Sequence, residues 1–183
     1  MMRKSIFLNA SIIVGIIALV SSCKCETDNP PEPEYNSHLK LVIELYNGAQ
    51  PMNWDDVVAV DNVKEYRMEF FKYHLDRIKD VNNAGSEILL EDVLIADASE
   101  PDGMTFVFAA PDGGYEKLIV GVGLDEVLNA SDPISFAPEE PLSAAQAMYW
   151  SWAAKYRFVR IDARANESGT IGDTSDILVA YHP

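Results

Sequence analysis

The chain has 183 residues, of which 48% are hydrophobic and 10% aromatic, and this is enough for one globular domain with a hydrophobic core. Acidic residues outnumber basic residues 29 to 14, and the net charge of −15 argues against nucleic acid or an anionic lipid as ligand, since either requires a basic face. Both cysteines lie near the N-terminus, which excludes a disulfide-built scaffold and a cysteine-cluster metal site.

The first 22 residues have the pattern of a secretory signal. A basic start precedes an apolar stretch from Ile6 to Val20 that is too short to span a bilayer comfortably, and small residues then precede Cys23. This ending resembles the lipobox of bacterial lipoproteins, in which cleavage leaves an acylated cysteine as the first residue. The sequence therefore predicts a lipoprotein signal peptide over residues 1–22 and lipidation of Cys23. An ordinary secretory signal and an uncleaved anchor are the alternatives.

Residues 23–37 are predicted to be an acidic, proline-rich tether. The segment contains Glu26, Asp28, Glu32 and Glu34 together with three prolines, and such a composition cannot bury a core. An extended, hydrated tether holds a domain away from a membrane surface. Together with the lipidated cysteine, it predicts a lipid-anchored protein of the bacterial cell envelope, at the outer membrane.

The remaining residues, 38–183, are predicted to form one all-β domain. Apolar residues alternate from Leu39 to Leu45, which is the period of a strand, and Asn47-Gly48 then provides a turn. Similar runs are Glu87–Ile95, Met104–Ala109, Tyr115–Gly123, Tyr156–Ala163 and Asp176–Tyr181. Short strands separated by glycine, proline and aspartate turns predict an antiparallel β-sandwich or barrel. A short helix or turn is expected around residues 124–130.

The segment Val63–Val81 is compatible with two structures. Its apolar residues follow a helical period with charged residues largely opposite, and this pattern slightly favours an amphipathic helix. As a strand, the segment requires a bulge near Phe70-Phe71 that brings Leu75 onto the same face as Tyr66.

The sequence contains no motif of an enzyme. It has no Gly-x-Ser-x-Gly, neither cysteine has a catalytic setting, and the glycine pairs lack the spacing that binds phosphate, so no catalytic residue is predicted. The candidate metal ligands are His38, His74 and His182, because imidazole binds copper and zinc. Trp150 and Trp152 would share one face of a strand, either as a hydrophobic cluster that closes the core or as an aromatic site.

Four segments, in order, resemble the MbnP-like copper-binding family. They are Tyr66–Lys79 (YRMEFFKYHLDRIK), Tyr115–Asn129 (YEKLIVGVGLDEVLN), Pro141–Ala163 (PLSAAQAMYWSWAAKYRFVRIDA) and Ala180–Pro183 (AYHP). The third segment is the most specific of the set. The match extends from about Leu39 to the end of the chain, and it implies a β-sandwich in which Val63–Val81 is a strand.

The resemblance also implies an envelope protein that binds copper(I). In members of the family, two histidines and a tryptophan oxidised to kynurenine hold the ion, and a diheme peroxidase-like partner is thought to carry out the oxidation. His182 aligns with a family histidine, and Trp150 and Trp152 align with the family's tryptophan pair. Tyr46 and Asp92 occupy positions where members have histidine.

Members of the family continue beyond the segment that matches residues 180–183, so the resemblance implies that the last strands of the domain are missing. A metal-free β-sandwich lipoprotein for adhesion or glycan binding, with Trp150 and Trp152 as the contact surface, is the alternative function.

Overall fold

The structure, a computed structural model, describes residues 37–60, 64–166, 171–172 and 176–182. The predicted signal peptide, Cys23 and nearly all of the predicted tether lie outside the described residues. The strands are β1 (Ser37–Val42), β2 (Tyr46–Asn47), β3 (Gln50–Pro51), β4 (Val57–Val60), β5 (Lys64–Asn82), β6 (Glu87–Asp97), β7 (Thr105–Ala110), β8 (Tyr115–Val122), β9 (Tyr149–Ser151), β10 (Lys155–Tyr156), β11 (Val159–Asn166) and β12 (Ile177–Tyr181).

The prediction of an all-β, antiparallel, sandwich-like fold is confirmed. All of the strand pairings are antiparallel in the part of the chain that the structure describes. The short helix expected around residues 124–130 is helix α1 (Glu126–Asn129). It begins at Asp125, whose side chain accepts a hydrogen bond from the Leu128 backbone N–H at 2.9 Å, as an N-cap residue does. No helix of the described residues is long and apolar enough to cross a membrane.

Strand β5 is the centre of a six-stranded sheet because it has neighbours on both of its edges. Strands β4 and β11 pair with its first half, and β6 and β8 pair with its second half. The sheet continues from β11 to β12, which is the outermost strand on this side among the described residues. All five residues of β12 are exposed, including Ile177, Leu178 and Val179.

Two irregularities in β5 explain why its sequence resembles a helix. In the pairing with β11, Met68 lies opposite Ala163 and Phe70 lies opposite Asp162, so that Glu69 is an extra residue. This bulge is next to the position that a strand was predicted to require. A second register shift lies between Asp76 and Lys79 in the pairing with β8 and between Ile78 and Lys79 in the pairing with β6. Arg77, in the same part of the strand, has a positive φ of 47°. Because a bulge adds one residue, the residues after it point to the opposite face from the one that strict alternation would give them. Apolar residues on either side of a bulge, such as Leu75 and Ile78, therefore share a face although they are three positions apart.

The face of β5 that carries Leu75 and Ile78 packs against the two-stranded sheet of β1 and β7. Both residues are buried together with Phe108 of β7, and Leu39 and Leu41 of β1 pack against them. Because β1 alternates with a period of two, it buries Leu39 and Leu41 and exposes His38 and Lys40. This contact between two sheets is the sandwich core.

The opposite face of β5 is covered by the connection between β8 and β11. Leu124, Leu142, Met148 and Tyr156 form a second buried cluster there, and Phe70 packs against it. This connection contains α1, two short 3-10 turns and the β9–β10 hairpin. It therefore builds the surface on which His182 and Trp150 lie.

An ion pair between Lys72 and Asp97 joins β5 to the end of β6. The Lys72 Nζ lies 2.7 Å from Asp97 Oδ2, and Ser99 donates its N–H and its hydroxyl to Asp97 Oδ1 at 3.0 and 2.6 Å. Burial by itself would raise the pKa of Asp97, but the hydrogen bonds from Lys72 and Ser99 outweigh it, and the pKa is lowered.

We expect Asp97→Asn to lower the free energy of unfolding by about 1–3 kcal/mol at pH 7, since it removes the carboxylate that neutralises the Lys72 ammonium. The lowered pKa of Asp97 stabilises the fold above the pKa of the unfolded chain, and this contribution is lost as the pH falls through the folded-state pKa. Urea unfolding at pH 7 and pH 3 should therefore show that the wild type is more stable than Asp97→Asn at pH 7, and that this difference in the free energy of unfolding is smaller at pH 3. Asp102→Asn, on the exposed turn that follows, serves as the control.

Candidate functional site

A groove of about 300 Å³ brings together His182 and Trp150, two of the residues that the sequence singles out. Its other lining residues are Asn129, Ala154, Tyr156, Arg157 and Phe158. The groove therefore joins the end of β12, the β9–β10 hairpin and the start of β11, which are far apart in the chain.

The His182 imidazole is held by the carboxylate of Asp162. His182 Nε2 lies 2.6 Å from Asp162 Oδ1, while the other oxygen, Oδ2, accepts hydrogen bonds from Arg160 Nε at 3.0 Å and from a terminal Arg160 nitrogen at 2.6 Å. Burial opposes ionisation of Asp162, but the hydrogen bonds from His182 and Arg160 outweigh burial and lower its pKa. The carboxylate is therefore ionised at neutral pH and can accept the Nε2 proton.

The register of the sheet produces this contact. Asp162 lies opposite Ala180 in the β11–β12 pair, so that His182, two residues further on, shares the face of Asp162 and Arg160. With Nε2 engaged by the carboxylate, Nδ1 is the ring nitrogen that remains for a ligand. A histidine that binds a metal through one nitrogen and a carboxylate through the other is a common arrangement in metal sites.

Trp150 lies on β9 between His182 and Arg157. The indole meets the imidazole edge to face, with ring centroids 6.1 Å apart, and the Arg157 guanidinium carbon lies 4.8 Å from the centre of the indole ring. A cation at this distance is attracted by the electron-rich ring face. Trp150 remains 58% exposed, so the groove is accessible from solvent.

Arg157 places a positive charge in the groove. Its Nε is buried and has no hydrogen-bond partner among the described residues. Burial, followed by the neighbouring charge of Arg160, lowers the pKa of Arg157. The carboxylate of Asp162 opposes this shift, so Arg157 and Arg160 face one nearby negative charge.

Tyr156 and Asn129 form the floor of the groove. The Tyr156 hydroxyl donates to the Leu142 carbonyl at 2.7 Å, and the Tyr156 N–H donates to Asn129 Oδ1 at 3.1 Å. Asn129 is the last residue of α1, so the short helix that Asp125 begins fixes the position of the hairpin. Trp150 thereby lies on a hairpin that is hydrogen-bonded to α1.

The structure does not place Trp152 on a strand with Trp150. Trp152 begins the turn between β9 and β10 and is 82% exposed, without lining the groove. The prediction that Trp150 and Trp152 share one face of a strand is therefore wrong, because β9 ends at Ser151 and Trp152 lies in the turn.

His74 is part of the core. Its ring is fully buried, with Nδ1 3.2 Å from the Arg157 carbonyl and Nε2 3.2 Å from the Pro141 carbonyl, and it meets Tyr156 edge to face. Burial lowers the pKa of His74, and the two carbonyls oppose this shift. Both ring nitrogens face backbone oxygens, which gives His74 a structural role.

His38 is exposed on β1, in the sheet that covers the other face of β5. Tyr46 and Asp92, which stand where the family has histidine, are exposed as well. In the part of the chain that the structure describes, no three His, Cys, Asp or Glu side chains are grouped closely enough to hold a metal ion together. The groove therefore supplies one imidazole.

Sequence reasoning missed Asp162, Arg160 and Arg157. The pair Arg160 and Asp162 has the spacing of residues on one face of a strand, which is a weak signal. Their contact with His182 depends on the register between β11 and β12, which the sequence does not specify.

The fold and the groove define an antiparallel β-sandwich protein with one carboxylate-bound histidine beside an exposed tryptophan. The sequence model of the MbnP family matches residues 36–182, and the chain belongs to this family. Among solved structures, MbnP from Methylosinus trichosporium is similar in fold, with a TM-score of 0.57 and 18% sequence identity over 78% of this chain. The chain spans 61% of the length of that relative. No match is found among curated protein sequences.

We expect His74→Leu to lower the free energy of unfolding by about 1–3 kcal/mol, because the neutral ring donates its one N–H to the Pro141 or the Arg157 carbonyl, and leucine leaves that buried carbonyl without its donor. The lowered pKa means that the unfolded chain takes up a proton at His74 before the folded chain does, so wild-type stability falls as the pH drops below about 6.5. When unfolding by urea is measured at pH 7.5 and at pH 5.5, the free energy of unfolding should fall less between these two pH values in His74→Leu than in the wild type.

The exposed His38→Leu is the matched control, with a stability within about 0.5 kcal/mol of wild type. A His74→Leu protein with unchanged stability and weakened metal binding would contradict the structural role of His74.

Proposed function

We propose that this chain is a lipid-anchored protein of the bacterial cell envelope whose MbnP domain binds copper(I) at His182, and that it has no catalytic activity of its own. The observation that carries the proposal is the contact of His182 with both Asp162 and Trp150 in one open groove. Membership of the MbnP family supports the choice of copper, and the acylated residue would be Cys23.

The donor set suits a soft monovalent ion better than a divalent ion. Copper(I) tolerates low coordination numbers and accepts imidazole, whereas zinc in proteins is held by four ligands. Among the described residues the groove supplies one imidazole, and copper(I) needs fewer further donors than zinc does.

Each residue has a separate role in this proposal. His182 supplies the nitrogen ligand through Nδ1, and Asp162 orients the ring by accepting the Nε2 proton. Trp150 forms the aromatic wall of the site. A diheme peroxidase-like partner would oxidise Trp150 rather than Trp152 to kynurenine, because Trp150 is the tryptophan in contact with His182.

We expect His182→Ala to remove one bound copper(I), or to weaken its affinity at least tenfold. Asp162→Asn should weaken it about 10- to 100-fold, as loss of an orienting hydrogen bond does at other metal sites. Copper(I) would be titrated against a chromophoric chelator without oxygen, in a Cys23→Ser and Cys25→Ser background that removes both thiols.

The control for this titration is His38→Ala, which removes an exposed imidazole outside the groove and should leave copper binding unchanged. Equal copper affinity in His182→Ala and in the parent chain would refute the assignment. The masses of the tryptophan peptides from protein made in its native host would show whether Trp150 is converted to kynurenine.

A second candidate function is adhesion or glycan binding without a metal. It is favoured by the exposure of Trp152 (82%) and Trp150 (58%), since exposed tryptophans stack on sugar rings. This function requires that soluble glycans change the tryptophan fluorescence, that Trp152→Ala abolishes the change, and that copper(I) is not taken up.

A further inference from the structure

A second groove of about 300 Å³ is lined by two methionines, Met52 and Met104, together with Trp54, Glu44 and Glu100. It shares no lining residue with the groove of His182. Met52, Trp54 and Met104 are all partly buried, so their side chains form walls of the groove and are not sealed in the core.

Backbone hydrogen bonds place the two methionines next to each other. The Ile43 N–H donates to the Met104 carbonyl at 2.9 Å, and the Met52 N–H donates to the Leu45 carbonyl at 3.0 Å. These contacts continue the registers of β1 with β7 and of β2 with β3. Residues 43–45 form the short connection between β1 and β2, so the two pairings meet there.

The backbones of Met104 and Met52 are therefore hydrogen-bonded to residues that are two positions apart in the chain. Two residues of chain span at most about 7 Å. Two methionine side chains can close this distance around a common ion, since each has three rotatable bonds and ends in a flexible thioether.

Tyr73 orients the Met104 sulfur. Its hydroxyl donates to Met104 Sδ at 3.8 Å, and burial raises the pKa of Tyr73 to about 12, so the hydroxyl keeps its proton at neutral pH. A thioether sulfur has two lone pairs, and this hydrogen bond leaves one of them for a ligand.

We propose that Met52 and Met104 form a separate site for a soft monovalent cation, copper(I) or silver(I). Thioether sulfur selects soft ions over zinc, calcium and magnesium. Trp54 presents an aromatic ring to such a cation, and the carboxylates of Glu44 and Glu100 line the same groove and attract positive charge. The site is independent of the function proposed for His182.

The test is a silver(I) and copper(I) titration of the full chain in the Cys23→Ser and Cys25→Ser background. The double variant Met52→Leu/Met104→Leu is expected to bind one equivalent less of either ion than the parent chain, or to bind that equivalent at least tenfold more weakly. His182→Ala is expected to keep this equivalent. Leucine conserves the volume of methionine, so the variant should remain folded with a similar melting temperature.

The fluorescence of Trp54 provides a second measurement. In a Trp150→Phe/Trp152→Phe background, Trp54 is the remaining tryptophan, and silver(I) should quench its emission in the parent chain but not in the methionine double variant. Met68→Leu, on β5 and outside both grooves, is the control and should bind as the parent does.

Unchanged stoichiometry, affinity and Trp54 quenching in the methionine double variant would overturn the proposal. This outcome is distinguishable from failure of the His182 site, because each site is removed by its own variants.

Discussion

Strand β5 has hydrogen-bonded neighbours on both edges along much of its 19 residues, and the rest of the structure is arranged around this pairing. One of its faces is covered by the β1–β7 sheet and the other by the connection that carries Trp150. Since consecutive residues point to opposite faces, Leu75 contributes to the sandwich core and His74 supports the floor of the groove. The core and the candidate site thus share one strand.

The strands with strict alternation could be predicted from the sequence, and so could a short helix or turn around residues 124–130, because both depend on neighbours in the chain. Strand β5 could not be recognised from its period, since the bulges at Glu69 and Arg77 shift its pattern. Family resemblance identified it correctly. The bulges are a response to pairing with strands that are distant in sequence.

In the candidate site, too, the contacts between residues distant in the chain could not be predicted from the sequence. His182 and Trp150 could be selected by residue type and family resemblance, but the partners that orient them could not. Asp162 meets His182 because β12 pairs with β11 in a particular register, and Arg157 meets Trp150 because a hairpin turns between them. The methionine groove depends on two separate pairings along residues 43–45.

His182 directly follows β12, which has exposed side chains and, among the residues that the structure describes, is held in the sheet through β11 alone. Edge elements with few buried contacts open locally at a lower free energy than the core does. Opening of β12 would separate His182 from Asp162 and Trp150, so a ligand bound in the groove also stabilises the edge of the sheet. A ligand in the groove would therefore slow hydrogen exchange at the β12 amides, because its binding requires β12 to be paired with β11.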